Sequence, residues 1–176
     1  MTTNSNTVTT QILSLYDLTA TKEALLDTYT PNQTITYVTR VENTGSASLY
    51  NLTIVDDLAN GTLQYIDTSI EGYLNGSPIE VDVQKTANTV TFKIDNVLNP
   101  NDNVLIIFET TTPTTNPEQI TNTQTITANG GSTTGPIVTA KPNPSATVTL
   151  ANYVSLDITK SANKASIYLS LIHISE

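Results

Sequence analysis

The stretch VTRVENTGSASLYNLTIVDDL, residues 38–58, contains two alternating apolar and polar runs separated by a short polar segment. A two-residue period places successive side chains on opposite faces of a β-strand, so each run is predicted to be a half-buried strand. The middle, NTGSASLY, predicts a hairpin-type connection between two strands. The second run ends on Asp56 and Asp57, and the chemistry of this acidic pair is the question that the stretch raises.

The same two-residue period recurs along the 176-residue chain, and no segment has the 3.6-residue period of a helix. Segments rich in Pro, Gly and Asn separate the runs. Many short strands at regular spacing predict an all-β fold, a sandwich of two antiparallel sheets. The predicted strands cover residues 16–22, 33–42, 50–56, 63–66, 79–83, 89–94, 103–111, 120–128 and 146–151.

Composition disfavours several classes of function. The formal net charge is −9, which argues against nucleic acid and anionic membranes as partners. The chain has no cysteine, so disulfides and thiolate metal sites are excluded. No apolar run reaches the length of a transmembrane helix, and the first residues have no signal-peptide pattern. We therefore expect no membrane insertion in this fragment, with any signal peptide or anchor lying outside it.

Two similar segments indicate an internal repeat. TVTTQILSLYDLTATK (7–22) and TVTLANYVSLDITK (147–160) both hold a TVT strand and an apolar strand that ends in Thr-Lys. Their lysines, Lys22 and Lys160, are 138 residues apart (160 − 22). We interpret residues 1–13 as the end of a preceding repeat or a linker, 14–151 as one complete repeat of a tandem array, and 152–168 as the start of a following repeat.

The last eight residues, LSLIHISE from Leu169 to Glu176, match the translation of a transposase end sequence used in preparing sequencing libraries. We interpret them as a non-native tail, added where an adaptor interrupts a metagenomic DNA fragment. This interpretation removes His173, the only histidine, from the candidate functional residues. It thereby also removes any Ser-His-Asp arrangement.

Three segments together resemble a known family. The first, residues 21–58, contains in order Lys22, the turn Pro31-Asn32-Gln33, Tyr37, Asn43-Thr44-Gly45 and Asp56. The others are NVLNPNDNVLIIFETTTP (96–113) and QITNTQTITAN (119–129). Over nearly all of residues 15–150 the chain resembles the bacterial surface repeat called domain of unknown function eleven. It departs from the family in carrying Asn32 and Asn101 where the family's turns have Gly, but Asn also accepts a positive φ.

The resemblance implies an Ig-like sandwich strung along a large cell-wall or secreted protein, and it implies no enzyme and no cofactor. We expect an extracellular structural or stalk repeat whose partners are neighbouring repeats of the same chain. Two alternatives stay open. One is an adhesin-type module that binds a host or cell-wall ligand through loops such as 71–78 or 112–119. The other is an accessory domain of a secreted hydrolase.

The family also resembles fimbrial domains that form an internal Lys–Asn isopeptide bond, and strand parity tests this resemblance independently. Three polar residues share parity with apolar neighbours on their strands: Lys22 with Tyr16, Leu18 and Ala20; Asp56 with Leu52 and Ile54; Asn122 with Ile120 and Ile126. Since residues two apart share a face, all three polar side chains are predicted to face the core. Lys160 is the equivalent lysine of the next repeat.

The three side chains together predict a self-reaction. Burial favours the neutral forms of Lys22 and Asp56, and a neutral amine is a nucleophile. Asp56 is expected to promote the reaction by donating a hydrogen bond to the amide oxygen of Asn122, so that the lysine attacks and ammonia leaves. In the alternative, Lys22 extends to solvent, Asp56 caps a turn and Asn122 bonds to the backbone.

Two groups of oxygen-bearing side chains suggest calcium: Asp56, Asp57 and Asn60, and the group Asp95, Asn96, Asn99, Asn101 and Asp102. Neither group has the ligand spacing of a recognised calcium loop. Turn formation accounts for both groups, so no metal site is expected. Asp57 is expected to face solvent and to serve the turn.

Overall fold

The computed structural model describes residues 15–115 and 117–151, which form a sandwich of two β-sheets. The all-β sandwich predicted from the sequence is therefore confirmed. In chain order the elements are β1 (Leu18–Ala24), β2 (Thr28–Tyr29), β3 (Thr34–Asn43), β4 (Leu49–Asp56), α1 (Leu58–Gly61), β5 (Gln64–Tyr65), β6 (Glu71–Leu74), β7 (Ser77–Pro78), β8 (Asp82–Lys85), β9 (Val90–Ile94), β10 (Asn103–Thr111), β11 (Gln119–Gly130), β12 (Ile137–Thr139) and β13 (Ser145–Leu150).

The first sheet has the strand order β1-β3-β10-β6-β7, with β5 paired to β10. The second has the order β2-β13-β11-β4-β9-β8, with β12 paired to β11. Strand pairs are antiparallel except for the short parallel pair of β13 and β2. Lys22 thus lies in the first sheet, and Asp56 and Asn122 lie in the second, so the three can meet only across the core.

An apolar core fills the space between the sheets. Alternate residues of β10 are buried, as the two-residue period predicts. Aromatic rings form the centre of this core: the ring centroids of Tyr37 and Phe108 are 5.6 Å apart, and those of Phe92 and Phe108 are 5.1 Å apart. Aromatic pairs at such distances stabilise a core beyond their area burial. The rings of Tyr37 and Phe108 also form one wall of the site described below.

The segment NTGSASLY is not a hairpin, because β3 and β4 belong to different sheets. Asn43 directs the chain across: its Nδ2 donates to the carbonyl oxygens of Ala47 and Leu98, both at 2.9 Å. Its Oδ1 accepts from the Gly45 N–H at 3.0 Å. Alternation identifies strands but does not say which sheet each strand joins, so the hairpin prediction is wrong.

The segment 71–78, expected to be a candidate ligand-binding loop, is instead the β6–β7 hairpin at the edge of the first sheet. Its turn consists of Asn75 and Gly76, whose φ values of 50° and 81° suit a two-residue hairpin. Consequently the predicted strand 79–83 mostly connects β7 to β8. The other candidate loop, 112–119, joins β10 to β11, and residue 116 within it lies outside the described residues.

Two Pro-Asn turns adopt the conformation that the sequence predicts. The Gln33 N–H donates to the Thr30 oxygen at 3.3 Å, and the Asp102 N–H donates to the Asn99 oxygen at 3.0 Å. The third residue of each turn has a positive φ, 58° at Asn32 and 68° at Asn101. Asn therefore takes the place that a type II turn otherwise gives to Gly.

Because of this positive φ, the stability of the second turn depends on which residue occupies position 101. The substitution Asn101→Ala should lower the free energy of unfolding by about 1 kcal/mol, because a left-handed backbone is unfavourable for Ala. Asn101→Gly should leave it unchanged or raise it slightly. Urea denaturation of both variants, with the exposed Asn96→Ala as control, measures the difference. An Asn101→Ala midpoint equal to that of the control would contradict the argument.

Candidate functional site

Lys22, Asp56 and Asn122 meet in the core. The Lys22 Nζ lies 2.5 Å from Asp56 Oδ2, and the Asn122 Nδ2 lies 3.4 Å from the same oxygen. Asp56 and Asn122 are fully buried, and the side chain of Lys22 is 0% exposed. Lys22 therefore does not extend to solvent, and all three side chains lie on the inward faces that strand parity indicates.

Strand pairing places the three residues at the same level of the sandwich. Asp56 ends β4 and is paired with Gln124 of β11. Asn122 lies two residues earlier on β11, on the same face of the strand. Lys22 is paired with Thr39 of β3 and projects from the opposite sheet. A bond between Lys22 and Asn122 would therefore join the two sheets.

The carboxylate of Asp56 is surrounded by hydrogen-bond donors. Besides the two nitrogens already named, its Oδ2 accepts from Gln124 Nε2 at 2.9 Å. Its Oδ1 accepts from the Leu58 N–H, also at 2.9 Å. A buried carboxylate is stable only when its lone pairs are satisfied in this way. The arrangement holds Asp56 in one position between the lysine and the amide.

Gln124 and Thr39 belong to the site, although sequence reasoning did not select them. Both are buried, and the Thr39 hydroxyl donates to Gln124 Oε1 at 2.9 Å. This bond fixes which end of the Gln124 amide faces Asp56, since the nitrogen is left to donate. The signal was available in the sequence, because Gln124 has the parity of Asn122.

The lysine has an apolar and aromatic environment. Its Nζ lies 4.8 Å from the centroid of the Tyr37 ring and 5.5 Å from that of Phe108. Burial lowers the pKa of Lys22, although the nearby Asp56 charge and its hydrogen bond oppose the shift. Burial, and then the Asp56 charge, raise the pKa of Tyr37, so its phenol stays neutral. Loss of the proton from the Lys22 ammonium therefore costs less free energy here than in water.

The amide of Asn122 has a different orientation from the one expected. Its nitrogen faces Asp56, and its Oδ1 accepts from the main-chain N–H of Ala59 at 3.2 Å. The expectation that Asp56 donates to the amide oxygen is therefore wrong. A carboxylate oxygen accepts, so the amide turns its NH₂ group towards Asp56 and its oxygen towards an N–H group.

Asp57 serves the turn, as the sequence indicates. Its Oδ1 accepts from the main-chain N–H groups of Ala59 at 2.9 Å and Thr123 at 3.0 Å. Its own N–H donates to the Thr123 oxygen at 3.0 Å. The two aspartates thus differ in role: Asp56 points into the core, and Asp57 fastens the end of β4 to β11 beside Asn122.

In the second group of calcium candidates, both carboxylate oxygens of Asp102 accept hydrogen bonds. Asp102 Oδ2 accepts from the Asn99 N–H at 2.7 Å, and its Oδ1 accepts from Asn75 Nδ2 at 2.7 Å. Among residues 15–115 and 117–151, no three or more His, Cys, Asp or Glu side chains are grouped so that they could hold a metal ion. The turn from Asn99 to Asp102 accounts for the position of the Asp102 side chain.

Several sequence-based predictions concern residues outside the described ranges. They are Lys160 as the equivalent lysine, His173 and the tail 169–176, and the flanking segments 1–13 and 152–168. These remain predictions. Within the described part of the chain, no helix is long and apolar enough to span a membrane.

No protein-family model matches the chain, and no curated protein matches it in sequence. The resemblance to domain of unknown function eleven therefore stays a prediction. Solved structures do match in fold. BcpA, the major pilin subunit of Bacillus cereus, solved as a single-residue variant, matches with a TM-score of 0.58 at 13% identity over 76% of this chain. SpaD, the major pilin of Corynebacterium diphtheriae, matches with a TM-score of 0.57 at 14% identity over 73% of this chain.

A third match is ACE19, the collagen-binding subdomain of the Enterococcus faecalis surface protein ACE. Its TM-score is 0.51 at 10% identity, and the alignment covers 72% of this chain and 94% of ACE19. By contrast, the chain covers 40% of BcpA and 33% of SpaD. Identities this low show a shared fold and nothing about a shared activity. The described residues therefore have the Ig-like β-sandwich fold that these pilin and collagen-binding domains also have.

Proposed function

We propose that this chain contains a non-enzymatic structural repeat of a large bacterial surface or secreted protein, stabilised by a self-formed amide bond between Lys22 and Asn122. The observation that carries the proposal is that Lys22 Nζ and Asn122 Nδ2 both lie within hydrogen-bond distance of one buried oxygen, Asp56 Oδ2. A buried ion pair with apolar surroundings is weakly stabilising or destabilising. A covalent bond between two of these side chains would explain why they are buried, whereas packing alone would favour apolar residues at these positions.

Asp56 is placed to move protons between the two nitrogens. Its Oδ2 accepts a proton from the Lys22 ammonium, and the resulting amine attacks the Asn122 Cγ. Asp56 then donates its proton to Nδ2 and accepts the second proton that Nζ loses. The Nζ–Cγ bond forms, the Cγ–Nδ2 bond breaks and ammonia leaves. Protons and electrons balance without any co-reactant, and the reaction occurs once in each repeat.

The bond would stabilise the repeat substantially. It closes a loop of 100 residues between Lys22 and Asn122 (122 − 22). A disulfide that closes a loop of this length contributes about 4–5 kcal/mol through the entropy of the unfolded chain. Because the chain has no cysteine, it has no disulfide to provide this stabilisation. A covalent link between the two sheets would replace it.

The context of the repeat is proposed from fold and chain direction. BcpA and SpaD are pilin subunits, which supports an extracellular location on the bacterial surface for this fold. β1 enters beside Asn43, at one end of the sandwich, and β13 leaves beside Tyr29, at the other. Because the chain enters and leaves the sandwich at opposite ends, successive repeats can follow one another in a linear array. The partners of this repeat would then be its neighbours in the same chain. These repeats would space or display a distal domain.

Intact-mass measurement of the full 176-residue chain tests the proposal. We expect a mass about 17 Da below the encoded value, the mass of the ammonia that leaves when the amide forms. The Lys22→Ala variant should have its full encoded mass. A folded chain without the deficit would refute the crosslink. A deficit of about 18 Da would instead indicate an amide between Lys22 and Asp56 with loss of water.

A further inference from the structure

The short element α1, which follows the acidic pair, is a left-handed turn and not an ordinary right-handed helix. Three consecutive residues other than glycine have left-handed φ values: 47° at Leu58, 52° at Ala59 and 57° at Asn60. This conformation costs about 1–2 kcal/mol for an ordinary L-residue. Such strain persists only where the surrounding contacts hold it in place, and it is found preferentially at functional sites.

The left-handed turn directs two main-chain N–H groups into the site. The Leu58 N–H donates to Asp56 Oδ1 at 2.9 Å, and the Ala59 N–H donates to Asn122 Oδ1 at 3.2 Å. Leu58 and Ala59 are both buried, at 3% and 7% exposure. Hydrogen bonds to fixed N–H groups are strong in a site that excludes water. The strained backbone is what brings both donors to the reacting side chains.

We propose that the main-chain N–H of Ala59 is the oxyanion donor of the crosslinking reaction. This inference rests on the proposed function. When the Lys22 Nζ attacks, the π electron pair of the Asn122 carbonyl moves onto Oδ1, next to this N–H group. The pair returns as the Cγ–Nδ2 bond breaks and Nδ2 leaves as ammonia with the proton from Asp56. A donor fixed in advance at the oxygen stabilises the charge without reorganisation.

Asp57 is the positioning residue for this donor. Its Oδ1 accepts from the same Ala59 N–H and also from the Thr123 N–H, so it ties the turn to the residue next to Asn122. Without this carboxylate the turn has fewer contacts that oppose its strain. The Ala59 N–H would then lie less often at the amide oxygen.

The direct test replaces single N–H groups by ester oxygens in the full chain. Ala59→lactic acid removes the proposed donor and keeps the side chain. Gly61→glycolic acid is the matched control. The Gly61 N–H lies in the same turn, but it donates to the main-chain carbonyl oxygen of Asp57 at 3.1 Å and not to Asn122. After refolding from denaturant, the 17 Da loss is followed by mass spectrometry. The Ala59 ester should slow the reaction by about 10²–10³-fold, and the Gly61 ester should react nearly as fast as the unmodified chain.

A second pair of variants uses ordinary mutagenesis. Asp57→Asn keeps an accepting Oδ1 and should react at nearly the native rate, whereas Asp57→Ala should react several-fold more slowly. Unfolding midpoints of all four changes in an Asp56→Asn background, which does not form the bond, measure their structural effect apart from the reaction.

Three outcomes would overturn the inference: an Ala59 ester as fast as the unmodified chain, equal slowing by the two esters, or Asp57→Asn as slow as Asp57→Ala. An unmodified chain that keeps its full mass would overturn the proposed function as well. An unmodified chain that loses 17 Da, together with an Ala59 ester that loses it at the same rate, overturns the oxyanion donor alone.

Discussion

The substitution Lys22→Ala should lower the free energy of unfolding by more than the loss of the crosslink alone. Closure of the 100-residue loop accounts for about 4–5 kcal/mol. In the crosslinked chain Lys22 Nζ is an amide N–H beside the buried Asp56, and the substitution removes this donor, which costs about a further 1–3 kcal/mol. Together these losses approach the whole stability of an ordinary domain. Guanidinium denaturation of the variant and the native chain measures the loss.

Two further variants separate the contributions. Asn122→Ala removes the crosslink but keeps the ion pair of Lys22 and Asp56, so it should be less harmful than Lys22→Ala. Lys141→Ala, at an exposed position, is the control and should change the unfolding free energy by less than about 0.5 kcal/mol. If Lys22→Ala and Lys141→Ala unfold at the same midpoint, the buried lysine contributes nothing to stability, which contradicts the prediction.

The substitution Asp56→Asn should nearly abolish formation of the bond. Asn has the shape of Asp but cannot carry the proton from Lys22 Nζ to Asn122 Nδ2. Loss of a general acid–base group slows reactions by about 10²–10⁴-fold. The fraction of chain that has lost about 17 Da should therefore stay near zero over the period in which the native chain reacts completely.

Two checks make this result interpretable. Near-ultraviolet circular dichroism establishes that the Asp56→Asn variant is folded, because its rings Tyr37 and Phe108 lie beside the site. Asp95→Asn serves as the control, since it makes the same change at an exposed position outside the site and should retain the reaction. A folded Asp56→Asn chain that reacts at the native rate would show that Asp56 is not the proton carrier.

Strand parity alone was sufficient to place the inward-facing polar residues. Lys22, Asp56 and Asn122 share parity with apolar neighbours, and a two-residue period leaves no other face for them. The same rule also predicts that Gln124 faces inward, but the sequence around it does not indicate which residue it bonds to. Its bond to Thr39 depends on how two distant strands face each other, which periodicity does not encode.

Connections were less predictable than strands. The crossing after β3 depends on hydrogen bonds from Asn43 to Leu98, which is 55 residues away. The β6–β7 hairpin had a local signal, since Asn75-Gly76 is a favoured two-residue turn, but its strands are too short to show a period. The left-handed conformation of Leu58 and Ala59 runs against their intrinsic preferences. It exists because contacts with β11 hold it, so no local rule could predict it.

The position of Asn122 on β11, ahead of β12 and β13, has a mechanical consequence. If a crosslinked repeat is pulled from its two ends, the load passes from Lys22 directly to Asn122, and residues 23–121 between them carry none. Only the 29 residues that follow Asn122 up to Ala151 (151 − 122) can still extend at the far end, which adds at most about 100 Å. An uncrosslinked repeat would release about 450 Å from residue 15 to residue 151. Under load, the crosslinked repeat would thus extend by this limited length only, and further force would act on the covalent bond between Lys22 and Asn122.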